Sequence, residues 1–341
     1  MSTEPTERTL RAVYTDTDDL DPTAAIATLE AAGFEVARLE TRDADAIVEA
    51  AADADALLVG YAPITAEMIE RMPRLKLIAT LSMGVDMVDV DAASERGIWV
   101  ANVLGAATDE VAAHALALAL AARSLTGAQH VVRQGGWRLD DDADTDPAPP
   151  ATTESVLGIV GLGRIGRRLA EFARPMFGEI LATDPVLPDD GPTRAALAAE
   201  GIRRVGLDEL LSRSDVVSLH LPLTDETAGL VDDAFLAKLA PGAVLVNVSR
   251  GGLVDERALL AALDAGRLAG AGLDVLEAEP PAPHHPFRTH PRVVLTPHIA
   301  YRSDRTGREY TARQAANVIE WAAAGRPVSP VNAPAAAVAT R

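Results

Sequence analysis

The segment SVLGIVGLGRIGRRLAEFA, residues 155–173, decides the fold class of this chain. A strand-like apolar run leads directly into Gly161, Gly163 and Gly166, and a helical pattern follows. In that context the first glycine permits a tight turn, the second lets the backbone approach a ligand, and the third lets helix and strand pack closely. Free amides and the positive end of the helix favour an anion there. The segment therefore predicts a strand–turn–helix unit that binds the pyrophosphate of a dinucleotide.

Strand-like and helical segments alternate on both sides of this motif. One series fills the first hundred residues, from LRAVYTD at 10–16 to IWVANV at 98–103, and a second runs from residue 155 to VVLTPH at 293–298. This alternation predicts an α/β protein with mostly parallel sheets covered on both faces. The apolar run VAAHALALALAA at 111–122 is interpreted as a buried helix. The acidic, proline-rich stretch 139–154 is expected to be an exposed loop, and a helix is expected after residue 303.

Length and composition limit the possible functions. A chain of 341 residues is longer than one hydrophobic core comfortably supports, so two domains are expected. Fifty acidic against 31 basic residues give a net charge of −19, which disfavours nucleic-acid binding. The absence of cysteine excludes disulfides and thiolate metal sites. The N-terminus does not resemble a signal peptide, and the longest apolar run is too short to span a bilayer, so we expect a soluble, cytoplasmic protein without a membrane partner.

The balance of basic residues is unusual, since Lys76 and Lys238 are the two lysines and the rest are arginines. An acidic, lysine-poor surface is typical of proteins adapted to concentrated salt, which screens their self-repulsion. A GC-rich genome, which favours codons for arginine and alanine, would produce the same bias. The composition leaves both explanations open.

A carboxylate follows the strand after the glycine motif. Asp184 closes EILATDP, residues 179–185, about 20 residues beyond the glycines. A carboxylate at this position accepts hydrogen bonds from the ribose hydroxyls and repels a 2′-phosphate. The spacing therefore predicts NAD(H) as cofactor, although an Asp before Pro185 could also cap a turn.

Three ionisable residues follow later strand-like segments, where an open α/β sheet binds its ligands. They are Arg250, Glu279 and His298. Taken singly, each has an ordinary structural explanation: an ion pair, a loop acid or a packed ring. Because all three lie downstream of a dinucleotide motif, we interpret them together as a catalytic set.

The motifs as a group identify a family resemblance. GLGRIG at 161–166, NVSRGGLVDE at 247–256, LDVLEAEP at 273–280 and TPHIA at 296–300 are similar to those of the D-isomer-specific 2-hydroxyacid dehydrogenases. The resemblance covers roughly residues 8–333. LDVLEAEPP and the region after TPHIAY look most similar to the branch that contains the C-terminal binding proteins.

The resemblance implies a role for each catalytic candidate. Arg250 would hold the carboxylate and carbonyl oxygen of a 2-keto acid. His298 would donate a proton to that carbonyl oxygen during reduction and accept it back during oxidation. Glu279 would hydrogen-bond the far nitrogen of the ring, fix its tautomer and favour its protonated form.

The resemblance also implies further contacts. The backbone of LSMGVDMVD would bind the substrate carboxylate, with Tyr61 and Tyr301 nearby; Tyr301 stands where the C-terminal binding proteins carry Trp, which bears on side-chain preference. The predicted substrate contacts are Met83, Gly84, Val85, Tyr61 and Tyr301. The predicted cofactor contacts are Thr108, Gly161, Gly163, Arg164, Ile165, Gly166, Asp184, His220, Leu221, Pro222, Thr224, Val248 and Asp274. His284, His285 and His290 lack a ligand spacing, so no metal is expected.

The expected organisation follows from the family. Both domains would be Rossmann- or flavodoxin-like, doubly wound parallel sheets, with an NAD-binding domain at 103–299 inserted into a substrate domain formed by 1–102 and 300–341. Closure of the two domains would exclude water, and the helix near 109–123 would form a homodimer contact. The leading functional prediction is an NAD-dependent D-2-hydroxyacid dehydrogenase, in practice a 2-keto acid reductase of the glyoxylate/hydroxypyruvate type. The alternative is an NAD(H)-responsive, corepressor-like binding protein.

Overall fold

A computed structural model of the chain describes residues 8–17, 20–137 and 149–334. Most of the acidic loop and the Ala/Pro tail expected from the sequence lie outside these residues. The chain divides into two compact units, one comprising Met1–Ala106 with Ser303–Arg341 and the other comprising Ala107–Arg302. The sequence-based boundaries were 102/103 and 299/300. Each unit contains one parallel sheet, as the alternating pattern predicted.

The first unit contains a five-stranded sheet in the order β2-β1-β3-β4-β5, with every pairing parallel. Its strands are β1 Arg11–Tyr14, β2 Glu35–Arg38, β3 Ala56–Val59, β4 Leu77–Thr80 and β5 Trp99–Ala101. Its helices are α1 Thr23–Ala31, α2 Ala44–Ala51, α3 Ala66–Glu70, α4 Val90–Glu95 and α12 Asp304–Ala324.

Both faces of this sheet are covered, which explains why β3 and the first three residues of β4 are consecutive apolar residues rather than an alternating pattern. On one face Tyr14 and Leu58 pack with Leu29 of α1 and Val318 of α12. On the other face the strands pack against α2, α3 and α4. The order 2-1-3-4-5 is the flavodoxin-like order, in which the direction of winding changes between β1 and β3.

The second unit contains a seven-stranded parallel sheet in the order β12-β11-β10-β9-β6-β7-β8. Its strands are β6 Val156–Val160, β7 Glu179–Thr183, β8 Arg203–Arg204, β9 Val216–Leu219, β10 Ala243–Asn247, β11 Leu268–Leu273 and β12 Val293–Leu295. Its helices are α5 Thr108–Ser124, α6 Thr126–Arg133, α7 Arg164–Ala173, α8 Gly191–Ala199, α9 Leu207–Arg213, α10 Asp233–Lys238 and α11 Glu256–Asp264. The direction of winding changes between β6 and β9, so the loops after these two strands border the crevice where such sheets bind ligands.

Helix α5 lies on one face of this sheet and approaches β11 closely. A Cβ added to Gly272 would lie 2.8 Å from the Cβ of Leu118, and one added to Gly270 would lie 2.5 Å from the carbonyl oxygen of Ala122. The two glycines therefore allow the helix to approach the strand. The interpretation of 111–122 as a wholly buried helix was wrong in part, since Ala113 and Ala117 are exposed. An alanine-rich sequence does not reveal which face of its helix is covered.

Within the described parts of the chain, no single helix has the length and apolar character needed to cross a bilayer. The bent pair Thr108–Arg123 and Thr126–Arg133 meets that test when its two helices are joined.

Candidate active site

The glycine turn has the conformation and the close contacts that its sequence predicts. Gly161 follows β6 with φ of +96°, a left-handed value that favours glycine, and a Cβ there would lie 2.4 Å from the carbonyl oxygen of His220. A Cβ on Gly166 would lie 2.2 Å from the oxygen of Gly161, so the third glycine lets α7 pack on the turn. At Gly163, the N-cap of α7, no described atom lies within 4 Å of such a Cβ. Open space at the start of a ten-residue helix suits an anion that binds its first amides.

Asp184 lies at the end of β7 beside this turn and braces it. Its Oδ2 accepts the amide of Leu162 at 2.7 Å, while Oδ1 accepts the amides of Val186 at 2.8 Å and Leu187 at 3.3 Å. A carboxylate offers about four acceptor directions, so one remains for a ribose hydroxyl. The capping role considered from the sequence and the ribose-binding role are therefore compatible.

His220 follows β9 on the other side of the crevice. Its amide donates to the carbonyl of Val160 at 2.7 Å, and its Nε2 lies 2.9 Å from the hydroxyl of Ser218. Part of the residue remains exposed, but Nδ1 is buried and has no hydrogen-bond partner among the described residues. Burial lowers the pKa of this histidine to about 4. A neutral ring with an unused nitrogen beside the glycine turn is consistent with a cofactor contact.

The other predicted cofactor residues occupy four places in the second unit. Thr108 begins α5, and Arg164 with Ile165 begins α7. The loop after β9 contains Leu221, Pro222 and Thr224. The hydroxyl of Thr224 donates to the carboxylate of Glu226 at 2.7 Å. Val248, 8% exposed, follows β10. The positions after β6, β9 and β10 lie at the carboxyl edge of the sheet. Thr108 instead belongs to α5, which packs on the face of the sheet.

Arg250 is held in a turn whose geometry depends on a residue that sequence reasoning missed. Asn247, at the end of β10 and 1% exposed, donates from Nδ2 to the carbonyl of Arg250 at 2.8 Å and accepts the amide of Ser249 at 3.0 Å. The next residue, Gly251, lies against another loop, since a Cβ there would lie 1.9 Å from the carbonyl carbon of Leu276. The turn that carries the arginine therefore contacts the segment that carries Glu279.

Glu279 and His298 form the pair that their sequence context predicts. The ring Nδ1 lies 2.6 Å from Oε2 of the carboxylate, and Oε1 accepts the amide of Leu276 at 2.9 Å. Burial acts to raise the pKa of Glu279, but the hydrogen bond and charge of His298, the Leu276 amide and the charge of Arg250 together hold it below its usual value. An ionised carboxylate binds Nδ1–H, which leaves Nε2 of His298 as the nitrogen that can exchange a proton.

The backbone at His298 is unusual, with φ of +53° in a residue other than glycine. Its amide donates to the carbonyl of Asp274 at 2.7 Å. The carboxylate of Asp274, 1% exposed, accepts the amides of Ile299 at 3.0 Å and Ala300 at 2.8 Å. Left-handed backbone in such residues costs about 1–3 kcal/mol and persists where surrounding bonds enforce it. Asp274, predicted as a cofactor contact, thus also fixes the turn of His298.

In the first unit, the predicted substrate residues lie in loops after β3 and β4. Tyr61 is half-buried, with the guanidinium of Arg42 5.2 Å from the centre of its ring. Its amide donates to Asp16 at 2.8 Å, and the same buried carboxylate accepts the amides of Gly60 and Ala62 at 3.2 Å each. Asp16 was not singled out from the sequence, although an acid directly after a buried strand was the available signal.

The turn after β4 is braced through its carbonyl groups. Asn102 donates from Nδ2 to the carbonyl of Met83 at 2.8 Å, and the hydroxyl of Ser82 donates to the carbonyl of Gly84 at 2.6 Å. The amide of Val88 donates to the carbonyl of Val85 at 2.9 Å. Tyr301, in the second unit, is half-buried just after the His298 turn.

The loop histidines pair with carboxylates. His285 Nε2 lies 2.9 Å from Glu256, and His290 Nε2 lies 3.2 Å from Asp264. Among the described residues, no group of three or more His, Asp or Glu side chains is arranged to hold a metal ion.

Comparison with known proteins agrees with this combination of a dinucleotide-type sheet and a carboxylate–imidazole pair. Residues 114–300 match the family model described as D-isomer specific 2-hydroxyacid dehydrogenase, NAD binding domain. A D-3-phosphoglycerate dehydrogenase of Mycobacterium tuberculosis is 41% identical over 279 residues, which are 80% of this chain and 51% of that protein. A glyoxylate reductase of Korarchaeum cryptofilum is 38% identical over 291 residues, 84% of this chain and 85% of that protein. The crystal structure of a glyoxylate reductase from Paecilomyes thermophila superimposes with a TM-score of 0.82 at 29% identity, covering 95% of this chain and 98% of that one.

These matches show that the chain contains an NAD-binding domain, so it belongs to a dinucleotide-dependent class of protein. The chain belongs to the D-isomer-specific 2-hydroxyacid dehydrogenase family. It spans about half the length of the mycobacterial phosphoglycerate dehydrogenase and most of the archaeal glyoxylate reductase. The predicted proximity to the C-terminal binding protein-like branch stays a prediction.

Proposed function

We propose that this chain is an NAD-dependent D-2-hydroxyacid dehydrogenase that acts chiefly as a 2-keto acid reductase of the glyoxylate/hydroxypyruvate type. The observation that carries the proposal is the 2.6 Å contact between His298 Nδ1 and Glu279 in a unit whose sheet matches the family's NAD-binding domain. The carboxylate is itself oriented by the Leu276 amide, and the ring follows β12 at the carboxyl edge of the sheet, where an open α/β sheet binds its ligands. This position and the paired carboxylate suit one ring nitrogen to proton transfer.

The chain's own residues supply binding and proton transfer. NADH, when bound, supplies the hydride. Arg250, whose backbone carbonyl is held by Asn247, presents a planar guanidinium that matches the carboxylate and carbonyl oxygens of a 2-keto acid. His298 donates the Nε2 proton to the carbonyl oxygen as it becomes a hydroxyl, and Glu279 stabilises the charged ring before transfer. In the reverse direction the neutral ring takes the hydroxyl proton.

The cofactor preference follows from Asp184. Its carboxylate lies at the end of the strand next to the glycine turn, where it is already oriented by three amides. A second negative charge from a 2′-phosphate would be repelled there, whereas a ribose hydroxyl can donate to the remaining acceptor direction. We therefore expect NADH to be used in preference to NADPH.

The choice of small keto acids rests on two relatives that are named glyoxylate reductases. Both match this chain over most of both lengths. The predicted substrate contacts Met83, Gly84, Val85, Tyr61 and Tyr301 remain proposals.

The direct test is NADH consumption with glyoxylate, hydroxypyruvate, pyruvate, 4-methylthio-2-oxobutyrate and 3-phosphohydroxypyruvate, at low and high KCl. We expect turnover with glyoxylate or hydroxypyruvate, and a loss of about 10³-fold in kcat in His298→Asn with NADH still bound. His290→Asn, a histidine paired with a different carboxylate, is the matched control and should retain activity. NADH binding without turnover of any substrate would favour the corepressor-like alternative instead.

A homodimer is part of the proposal. Large apolar side chains are exposed after α5: Leu125 at 61%, Val132 at 46% and Trp137 at 86%. Ala113 and Ala117 of α5 are exposed as well, and exposed apolar side chains are groups that interfaces cover. Light scattering of the native protein should give twice the chain mass, and Val132→Asp should lower the measured mass towards that of a monomer. A monomeric mass for the native protein would contradict the dimer.

A further inference from the structure

His114 of α5 and Thr296 after β12 form a hydrogen-bonded chain that ends on the buried carboxylate of Asp274. We propose that His114 and Thr296 are positioning residues that act through Asp274 to hold His298 in its catalytic orientation. The inference rests on the proposed function, because it assigns these residues to the acid–base step of that reaction. All of the groups involved belong to the second unit.

In this chain each group donates a hydrogen bond to the next, from His114 through Thr296 to Asp274. His114 Nε2 lies 2.9 Å from the hydroxyl of Thr296, and that hydroxyl donates to Oδ1 of Asp274 at 2.5 Å. Because the threonine proton is directed to the carboxylate, its oxygen is left to accept Nε2–H of the histidine. The same ring nitrogen lies 3.6 Å from Oδ1 of Asp274, so the histidine also faces the carboxylate directly.

The same carboxylate holds the catalytic turn. Oδ1 accepts the amide of Ile299 and Oδ2 accepts the amide of Ala300, the two residues directly after His298. Because this carboxylate is 1% exposed, its oxygens need hydrogen-bond donors from the protein. Removing the Thr296 hydroxyl would free one acceptor direction and allow the carboxylate to rotate. The backbone at His298, with φ of +53°, would then lose part of what enforces it.

The packing of α5 makes the connection possible. Gly270 and Gly272 leave no side chain between β11 and the helix, whose Leu118 and Ala122 occupy that space. His114 lies one helical turn before Leu118, which brings its ring to the carboxyl end of the sheet where Thr296 emerges. A helix held farther from the sheet could not reach the threonine.

Four variants test the proposal. Thr296→Val removes the hydroxyl with little change of shape, and Thr296→Ser restores it; His114→Leu removes the donor, and His114→Gln restores an amide donor. We expect Thr296→Val and His114→Leu to lower kcat by about tenfold while KM for the keto acid and Kd for NADH change by less than about threefold. Thr296→Ser and His114→Gln should recover most of the kcat.

A matched control separates positioning from a general loss of stability. Thr311→Val also removes a hydroxyl from a threonine, 3% exposed, whose partners among the described residues are carbonyls of its own helix in the first unit. It should leave kcat unchanged. An equal fall of kcat in Thr311→Val, an unchanged kcat in Thr296→Val, or failure of Thr296→Ser to recover activity would overturn the proposal. A large rise in the NADH Kd with kcat intact would also overturn it, because the network would then serve the cofactor.

A measurement without substrate distinguishes this inference from the proposed function. The ring Cε1–H signal of His298 is identified in the proton NMR spectrum by its loss in His298→Asn. We expect Thr296→Val to shift or broaden that signal, and Thr296→Ser to return it. If the native protein turns over no keto acid, the proposed function fails while this signal still decides the positioning role; a His298 signal indifferent to Thr296→Val would reject it.

Discussion

Acidification should lower the free energy of unfolding of the second unit, because the ring of His220 is buried and resists protonation. Protonation would place a charge in the interior and an N–H at Nδ1, which is buried and has no acceptor among the described residues. Burial accordingly lowers the pKa of the ring to about 4. Since the unfolded chain titrates near the ordinary value of 6.5, it binds a proton below that pH while the folded protein does not.

The sign and the size follow from proton linkage. Because the unfolded state holds more protons between pH 6.5 and about 4, the free energy of unfolding falls as the pH is lowered through this range. With these two pKa values the loss is about 2 kcal/mol at pH 5 and about 3 kcal/mol once the pH is below both. Above pH 7 the contribution is constant.

The matched variant is His220→Gln, whose side-chain amide reaches towards Ser218 but does not titrate. Urea unfolding of the cofactor-free protein, followed by far-UV circular dichroism at pH 7 and pH 5, should show native stability falling by about 2 kcal/mol more than that of the variant. The ring signal of His220 in the NMR spectrum should titrate near pH 4. Parallel pH dependence in the two proteins, or a titration midpoint near 6.5, would refute the reasoning.

Three further substitutions have defined outcomes. Gly251→Ala would place a Cβ 1.9 Å from the carbonyl carbon of Leu276, so kcat should fall by about 100-fold or more. In the control Gly252→Ala the new Cβ meets the end of a leucine side chain at 3.1 Å, so the fall in kcat should be small. Equal falls in kcat in NADH oxidation assays would contradict this account. Arg250→Lys should lower kcat/KM for keto acids by about 100-fold, because a point charge cannot replace a planar fork; unchanged kinetics would remove the arginine from the site. Asp184→Ala should weaken NADH binding and reduce the preference for NADH over NADPH, since it removes both the ribose acceptor and a hydrogen bond to the glycine turn. Binding titrations in which the variant still prefers NADH to the native extent would reject Asp184 as the ribose-binding residue.

Local patterns in the sequence were sufficient for the fold class and for the candidate residues. Strand–helix alternation predicted parallel sheets, and both sheets are parallel. The spacing of Gly161, Gly163 and Gly166 predicted a strand–turn–helix unit, which β6 and α7 form. These features depend on neighbours within about twenty residues, because backbone conformation and turn geometry are local properties. The two-residue strand β8 was missed, since so short a segment has no periodicity of its own.

The supporting contacts came only from the tertiary structure. Asn247 orients the turn of Arg250, Asp16 orients the loop of Tyr61, and His114 reaches Thr296 across 182 positions of sequence. None of these partners has a distinctive sequence context, because Asn247 and Asp16 are common residues near strand ends and His114 lies within the alanine-rich α5. Their roles arise from strand order and from the approach of α5 to β11. A sequence specifies which side chains are available, whereas hydrogen bonds between distant segments form only where packing brings donor and acceptor within about 3 Å.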